Sequence, residues 1–325
     1  MCTGLRYMND SFYFGRNLDL DYTFGQSIVI TPKNYEIKFK HEKSITNHYA
    51  FIGVAVVVED YPLYADAINE AGLGIANLNF PHFAEYATEV QEGQLNLAPY
   101  ELMLYALANC QSVAEVKTAF HNLNVIDIPF NVQMPNTTLH WFVADKKQAT
   151  VIEMIEVIQG KVKITDNPAN VLTNSPSIDY HLMNLAHYAN LSDKQPTNQP
   201  FDMPPFGEGF GAIGLPGDWS PASRFIKAAF VNEHSISEKD EISNVTQFFH
   251  ILDSGAFVEG VTTSPRGTHD LTMYASCGHP ESGNYYYKTY RNNQINCVSM
   301  SKVDLQSHTL FNYPMIDTQQ IHQVN

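Results

Sequence analysis

Between residues 4 and 80 the chain breaks repeatedly into short strand-like runs separated by a few turn residues. That spacing leaves room for antiparallel sheet and little else. "GLRYMNDSFYFGRNLDL" reads as two strands around the turn Asn9-Asp10-Ser11. "QSIVITPKN", "HYAFIGVAVVV", "LYADAIN" and "GLGIANLNF" follow, each bounded by Gly, Pro, Asn or Asp. Helical spacing appears at "APYELMLYALANC" and "SVAEVKTAFHNL", the second with Ser112 as N-cap and Glu115 three residues on. Strands return at "TLHWFVAD", "ATVIEMIE", "GKVKIT" and "NVLTNS". Residues 192–217 are rich in Pro, Gly, Asn and Asp and read as a long surface excursion. Helices at "SPASRFIKAAFVNEH" and "EISNVTQFFHILDSG" precede closing strands at "LTMYASC", "NYYYKTY" and "QINCVSM". Strands around two helical blocks, with hairpin-length links, predict an α+β domain of antiparallel sheets covered by helices rather than a doubly wound parallel sheet. No internal repeat or break divides the 325 residues, so residues 1–325 are expected to form one domain.

Apolar residues make up 44% of the chain and charged residues 16%, which suits a large core. The formal net charge of −15 argues against nucleic acid and anionic lipid as partners. No run approaches the roughly 20 apolar residues of a membrane span, and the N-terminus lacks a signal-peptide pattern. The expectation is a cytoplasmic protein without a membrane anchor. The cysteines, Cys2, Cys110, Cys277 and Cys297, form no CxxC pair and read as free thiols of a reducing compartment.

Several motifs fail on context. "GFGAIG" (209–214) matches a dinucleotide fingerprint but follows a proline-rich loop and enters "LPGD" rather than a helix. No two histidines stand four apart, no HExxH occurs and no G-x-S-x-G is present, so neither a helical zinc site nor a nucleophile elbow is expected. Trp141 reads as core. Neither a metal nor a cofactor is expected.

Cys2, directly behind the initiator methionine, is the remaining candidate. Removal of Met1 would put a thiol and a free α-amine on one residue. The amine has a reference pKa of about 7.7–8.0 and the thiol about 8.5, so the amine can take the thiol proton near neutrality. One residue is then nucleophile and base. Such a site needs a cation near the sulfur, an acceptor for the amine and donors for an oxyanion. Arg16 and Asp19 lie on the strand that pairs with the Cys2 strand. Their opposite parity sends them to opposite faces of a regular strand, so the strand is expected to end or bend near Asn17 if both are to reach Cys2. Taken alone, each reads better as a solvated or structural salt bridge.

With these residues in view, "MCTGLRY" and "YFGRNLDL" resemble the start of the choloylglycine hydrolases, the bile salt hydrolase and penicillin V acylase group of N-terminal-nucleophile hydrolases. "EAGLGIANLNFPHF", "NTTLHWFVAD", "VLTNSP", "GLPGDWSPASRF", "FFHIL" and "YYYKTYRNNQINCVSM" extend the resemblance along nearly the whole chain. It implies a four-layer αββα sandwich of two antiparallel sheets between helices. It also implies that Cys2 is the nucleophile after loss of Met1, with Arg16 beside the thiol and Asp19 holding the α-amine. Asn79 and Asn174 would be oxyanion donors, and Arg224 would belong to the same polar cluster. Asn79 stands where penicillin V acylases tend to carry tyrosine, which favours glycine- or taurine-conjugated bile salts as the amphiphilic substrate. Leu18, Val58, Ala65, Phe130 and Met134 match the family's pocket loops, although Phe130 and Met134 could equally be loop anchors. Asn77 stands where a small residue would be expected. The resemblance further implies a bacterial homotetramer. Two other readings stay open: an acylase preferring penicillin V, and a non-catalytic amphiphile binder if Met1 is retained.

Overall fold

The computed structural model describes residues 1–154, 162–197, 201, 203, 207–264 and 266–325. The N-terminal hairpin forms as the alternation dictates. Strands β1 (Cys2–Met8) and β2 (Phe12–Leu20) pair antiparallel in the register Cys2↔Leu18 through Met8↔Phe12, with Asn9-Asp10-Ser11 at the turn. Then come β3 (Ser27–Thr31), β4 (Phe51–Val58), β5 (Tyr61–Asn69), β6 (Gly74–Asn79) and β7 (Leu95–Leu97). Helices α1 (Glu101–Asn109) and α2 (Val113–Ala119) lead to β8 (Leu123–Val125), β9 (Leu139–Ala144), β10 (Ala149–Met154), β11 (Val162–Asp166) and β12 (Val171–Leu172). The remaining elements are α3 (Ile178–Ala186), α4 (Pro221–His234), α5 (Glu241–Asp253), β13 (Leu271–His279), β14 (Asn284–Thr289), β15 (Asn292–Ser299) and β16 (Phe311–Pro314).

Two antiparallel sheets stack face to face. One has the order β12-β1-β2-β13-β14-β15 and the other β11-β10-β9-β6-β5-β4-β3-β16. Helices α4 and α5 cover the outer face of the first sheet, and α1 covers that of the second, giving the αββα layering. The sheets approach closely where glycine faces a large side chain. A Cβ on Gly74 would sit 2.5 Å from the Phe14 ring, and one on Gly278 would sit 2.8 Å from Ile68. Phe14 and Phe142 meet across this interface at 5.5 Å between ring centroids. A second apolar cluster, with Trp141 fully buried, fills the space under α1 and α2. Ser112 caps α2, its side chain accepting from the Glu115 backbone N–H.

Each strand-like and helical run of the sequence overlaps an element of the described chain, although the end of "ATVIEMIE" (155–156) and the start of "GKVKIT" (160–161) lie outside the described residues. Three features were not anticipated: the parallel pair β7–β8, the helix α3 and the edge strand β16. Between 192 and 217 the described residues include a short 3-10 turn, Phe210–Ala212, preceded by Gly209 at φ 83°. "GFGAIG" therefore opens no helix that could receive a pyrophosphate.

Candidate active site

Cys2 is the first residue of β1 and is 3% exposed. Its register partner Leu18 and the pair Gly4↔Arg16 share its face, which looks toward the second sheet. Arg16 is fully buried there and donates through Nη2 to the Cys2 sulfur. Its other guanidinium nitrogens donate to the carbonyls of Ala65 at 3.0 Å, Asn17 at 3.3 Å and Asn77. Ala65 can turn its carbonyl to Arg16 because β5 bulges there: Asp66 pairs with Val54 and Tyr64 with Ala55, leaving Ala65 opposite nothing. Burial alone would lower the Arg16 guanidinium, but Cys2, Tyr274, Asp66 and Asp19 hold it above its ordinary value. The cation is therefore permanent and touches the sulfur.

Strand β2 does not end near Asn17; it continues to Leu20, with a register shift against β13 beside Leu18 and Asp19. Parity holds, and Arg16 and Asp19 occupy opposite faces. Both still reach Cys2 because they address different parts of it. Arg16 meets the side chain between the sheets, whereas Asp19 lies next to the backbone end of β1 on the helix side. Met1 pairs with Asp19 in both directions, the Asp19 N–H donating to the Met1 carbonyl at 2.8 Å and the Met1 ammonium donating to the Asp19 carbonyl. The Asp19 carboxylate is fully buried. Oδ1 accepts from Thr272 at 2.6 Å, and Oδ2 has no hydrogen-bond partner among the described residues. A shift in the β13 register between Thr272 and Tyr274 brings Thr272 opposite Asp19.

The Cys2 nitrogen donates to Asn174 Oδ1 at 2.8 Å. That oxygen also accepts from Arg224 Nη2 at 2.9 Å, and Asn174 Nδ2 donates to the Asn79 carbonyl at 2.8 Å. Arg224, fully buried in the first turn of α4, also donates to the Cys2 carbonyl and to Thr3 Oγ1 at 2.7 Å. Burial lowers its guanidinium, with Asp19, Cys2 and Asp270 opposing that shift. The Asn79 side chain accepts from Thr138 at 3.4 Å, and its Nδ2 donates to none of the described residues.

A profile of the linear amide C–N hydrolases of the choloylglycine hydrolase family matches residues 2–317. The chain belongs to the choloylglycine hydrolase family. It is 42% identical to a bile salt hydrolase/transferase of Lactiplantibacillus plantarum over 328 residues, and equally to one of Clostridium perfringens over 331, with all of each chain covered. The fold superposes on the conjugated bile acid hydrolase of Clostridium perfringens with a TM-score of 0.92, at 41% identity over the full length of both chains. Penicillin V acylase of Agrobacterium tumefaciens shares the fold at a TM-score of 0.75, with 20% identity over 96% of this chain and 90% of the acylase.

In this choloylglycine hydrolase the remaining expected residues fall in two places. Leu18 faces Cys2 in register, and Ala65 carries the carbonyl bound by Arg16. Val58 ends β4 opposite Tyr61, whose ring lies 5.4 Å from Phe130; Phe130 also contacts Tyr100 at 5.5 Å. Met134 closes a bridge with Asn131 in the same loop. Asn77 donates to the Tyr64 carbonyl at 2.8 Å and approaches the Met103 sulfur of α1, so its amide turns to the helix layer rather than to the sulfur of Cys2.

Residues that sequence reasoning missed surround this core. Thr272 holds Asp19. Asp66 sits beside Arg16, an acid in the otherwise apolar run "LYADAIN", and that inward acid was the available signal. His140 and His181 bond the consecutive carbonyls of Thr173 and Asn174, at 2.9 and 2.8 Å. His181 stacks on Phe225 at 4.8 Å, and burial pulls its imidazole down to about 4 from the ordinary 6.5. It is therefore neutral at pH 7, donating from Nε2. Between about pH 6.5 and 4 the unfolded chain binds this proton and the folded chain does not, so acid favours unfolding. Stability is expected to fall by on the order of 3 kcal/mol across that window through this group. Denaturant unfolding at a series of pH values checks this. His181→Gln should make the slope shallower by about one proton.

Proposed function

We propose that the chain hydrolyses the amide joining a bile acid to glycine or taurine, with Cys2 as N-terminal nucleophile after loss of Met1. One observation carries the mechanism: the Cys2 sulfur lies against Arg16 while the nitrogen of the same residue lies on Asn174. Nucleophile and base then share one residue, and no histidine is required.

Once Met1 is removed, the Cys2 nitrogen is an amine. Asn174 Oδ1 and Asp19 Oδ2, which has no partner among the described residues, are acceptors suited to hold it. The amine takes the Sγ proton, and Arg16 stabilises the thiolate. The sulfur attacks the amide carbonyl carbon. The developing oxyanion takes hydrogen bonds from Asn79 Nδ2 and from the second Nδ2 hydrogen of Asn174, donors of the kind that supply the largest share of acyl-transfer catalysis. Collapse breaks the C–N bond, and the α-ammonium returns its proton to the departing glycine or taurine. The bile acid remains as a thioester on Cys2. Water, deprotonated by the same amine, adds to the thioester carbonyl; the free acid leaves and the thiol regains its proton.

The choice of substrate is supported by the identity to relatives named for bile salts across the whole chain, and by the asparagine at position 79. Leu18, Val58, Ala65, Phe130 and Met134 are read as the apolar lining for the steroid. A cytoplasmic, bacterial homotetramer completes the proposal; the exposed free thiol of Cys297 suits a reducing compartment. Parallel assays with taurocholate, glycocholate and penicillin V test it. Turnover of the two conjugates at much higher kcat/KM than penicillin V is expected. Preference for penicillin V would overturn the substrate assignment while leaving the chemistry at Cys2 intact.

A further inference from the structure

Asp66 lies between the two sheets and is fully buried. Three hydroxyls converge on its carboxylate: Tyr274 donates to Oδ1 at 2.7 Å, Ser276 to Oδ2 at 2.9 Å, and Tyr285 also to Oδ2. Ser276 Oγ in turn accepts the Arg16 backbone N–H at 3.1 Å. The Arg16 guanidinium itself bonds three carbonyls and the Cys2 sulfur, all neutral while the thiol keeps its proton. Among the described residues no carboxylate is in hydrogen-bond contact with it. A buried cation still requires a counter-charge. Asp66 follows Ala65, whose carbonyl Arg16 binds, and stands on the same side of the sheet as the guanidinium. Asp19 stands on the other side.

Three donors on one carboxyl favour its charged form. Burial raises the Asp66 carboxyl above its ordinary value, and Arg16, Tyr285, Tyr274 and Ser276 oppose that rise. Burial and Asp66 push the phenols of Tyr274 and Tyr285 well up, so both keep the protons they donate.

We propose that Asp66 is a positioning residue for the reaction proposed above: its carboxylate balances Arg16 from the sheet interface and limits how strongly that guanidinium favours a thiolate at Cys2. The inference rests on Cys2 being the nucleophile. Its consequence is a thiol that keeps its proton until the amine takes it, and a thiolate that is the stronger nucleophile for its higher basicity. The groups facing the cluster are Arg16 of β2, Tyr274 and Ser276 of β13, Tyr285 of β14 and Cys2 of β1. Asp19 and Arg224 lie on the helix side, and Asp270 acts on the N-terminus.

The test is the pH dependence of iodoacetamide alkylation of the protein beginning at Cys2, read by mass on its N-terminal peptide. Three proteins are compared: the parent, Asp66→Asn and Tyr285→Phe. Asp66→Asn should move the midpoint down by roughly one pH unit or more. Tyr285→Phe removes one hydroxyl but keeps the charge, and its midpoint should stay near the parent's. An unmoved midpoint in Asp66→Asn, or an equal shift in Tyr285→Phe, would overturn the proposal. Should Asp66→Asn fail to fold, the double variant Arg16→Gln with Asp66→Asn should recover the folded state, since both buried charges are then gone; a double variant that also fails to fold counts against the balance. Alkylation involves no bile salt. A parent that hydrolyses no conjugate yet shows the shift refutes the proposed substrate and keeps the role of Asp66, and the converse result separates the two the other way.

Discussion

A preparation that still begins at Met1 is expected to release taurine from taurocholate about 10²–10⁴-fold more slowly than the trimmed protein. The reason is chemical. With Met1 attached, the Cys2 nitrogen is an amide; it donates to Asn174 Oδ1 and cannot accept the thiol proton. A positioned general base contributes about 10²–10⁴ to rate, and among the described residues the side chains in hydrogen-bond contact with the sulfur and nitrogen are an arginine and an asparagine, neither of them a base. Met1 is also held in place, extending the β1–β2 ladder by its two bonds to Asp19. A fusion ending in a protease site directly before Cys2 makes the comparison clean. The uncut protein should fold and be at least about 10²-fold slower, and cutting should raise activity in step with the mass of the Cys2-leading chain. Activity of the uncut protein within ten-fold of the cut one would remove the amine from the mechanism.

Cys2→Ala is the second large effect. It deletes the atom that Arg16 contacts and leaves the backbone bonds to Asn174 and Arg224 unchanged. Loss of the nucleophile in a covalent mechanism costs about 10⁶ in kcat by comparison with other hydrolases. The fold should survive, because the Cβ that packs beside Leu18 remains. Calorimetry with taurocholate should still detect binding, which separates loss of chemistry from loss of the pocket. Cys2→Ser keeps a hydroxyl that the amine cannot readily deprotonate, and should lie close to the alanine variant.

The parts of this site that were legible in the sequence are those fixed by local pairing. The turn Asn9-Asp10-Ser11 sets the hairpin register, and the register puts Leu18 and Arg16 on the Cys2 face. Parity correctly separated Arg16 from Asp19. What parity could not convey is that a residue at the end of a strand presents its sulfur to one side and its backbone nitrogen to the strand end, so that opposite faces can serve one residue. Long-range placement was invisible for a different reason. Asn174 and Arg224 reach Cys2 from β12's end and α4 across separations of 172 and 222 residues, and nothing local encodes that. Only the family resemblance linked them to Cys2 beforehand. Asp66 was readable as an inward acid in an apolar strand, but its partners Tyr274, Ser276 and Tyr285 lie more than 200 residues on. The pair β7–β8 was missed because three residues per strand are too few for alternation to register.

The most direct test of the account is product release by protein whose measured mass begins at Cys2, incubated with taurocholate beside its Cys2→Ala counterpart. Taurine and cholate should appear in equal amounts from the first and not at all from the second. No taurine or glycine freed from any conjugate, or release that persists in the alanine variant, would contradict it.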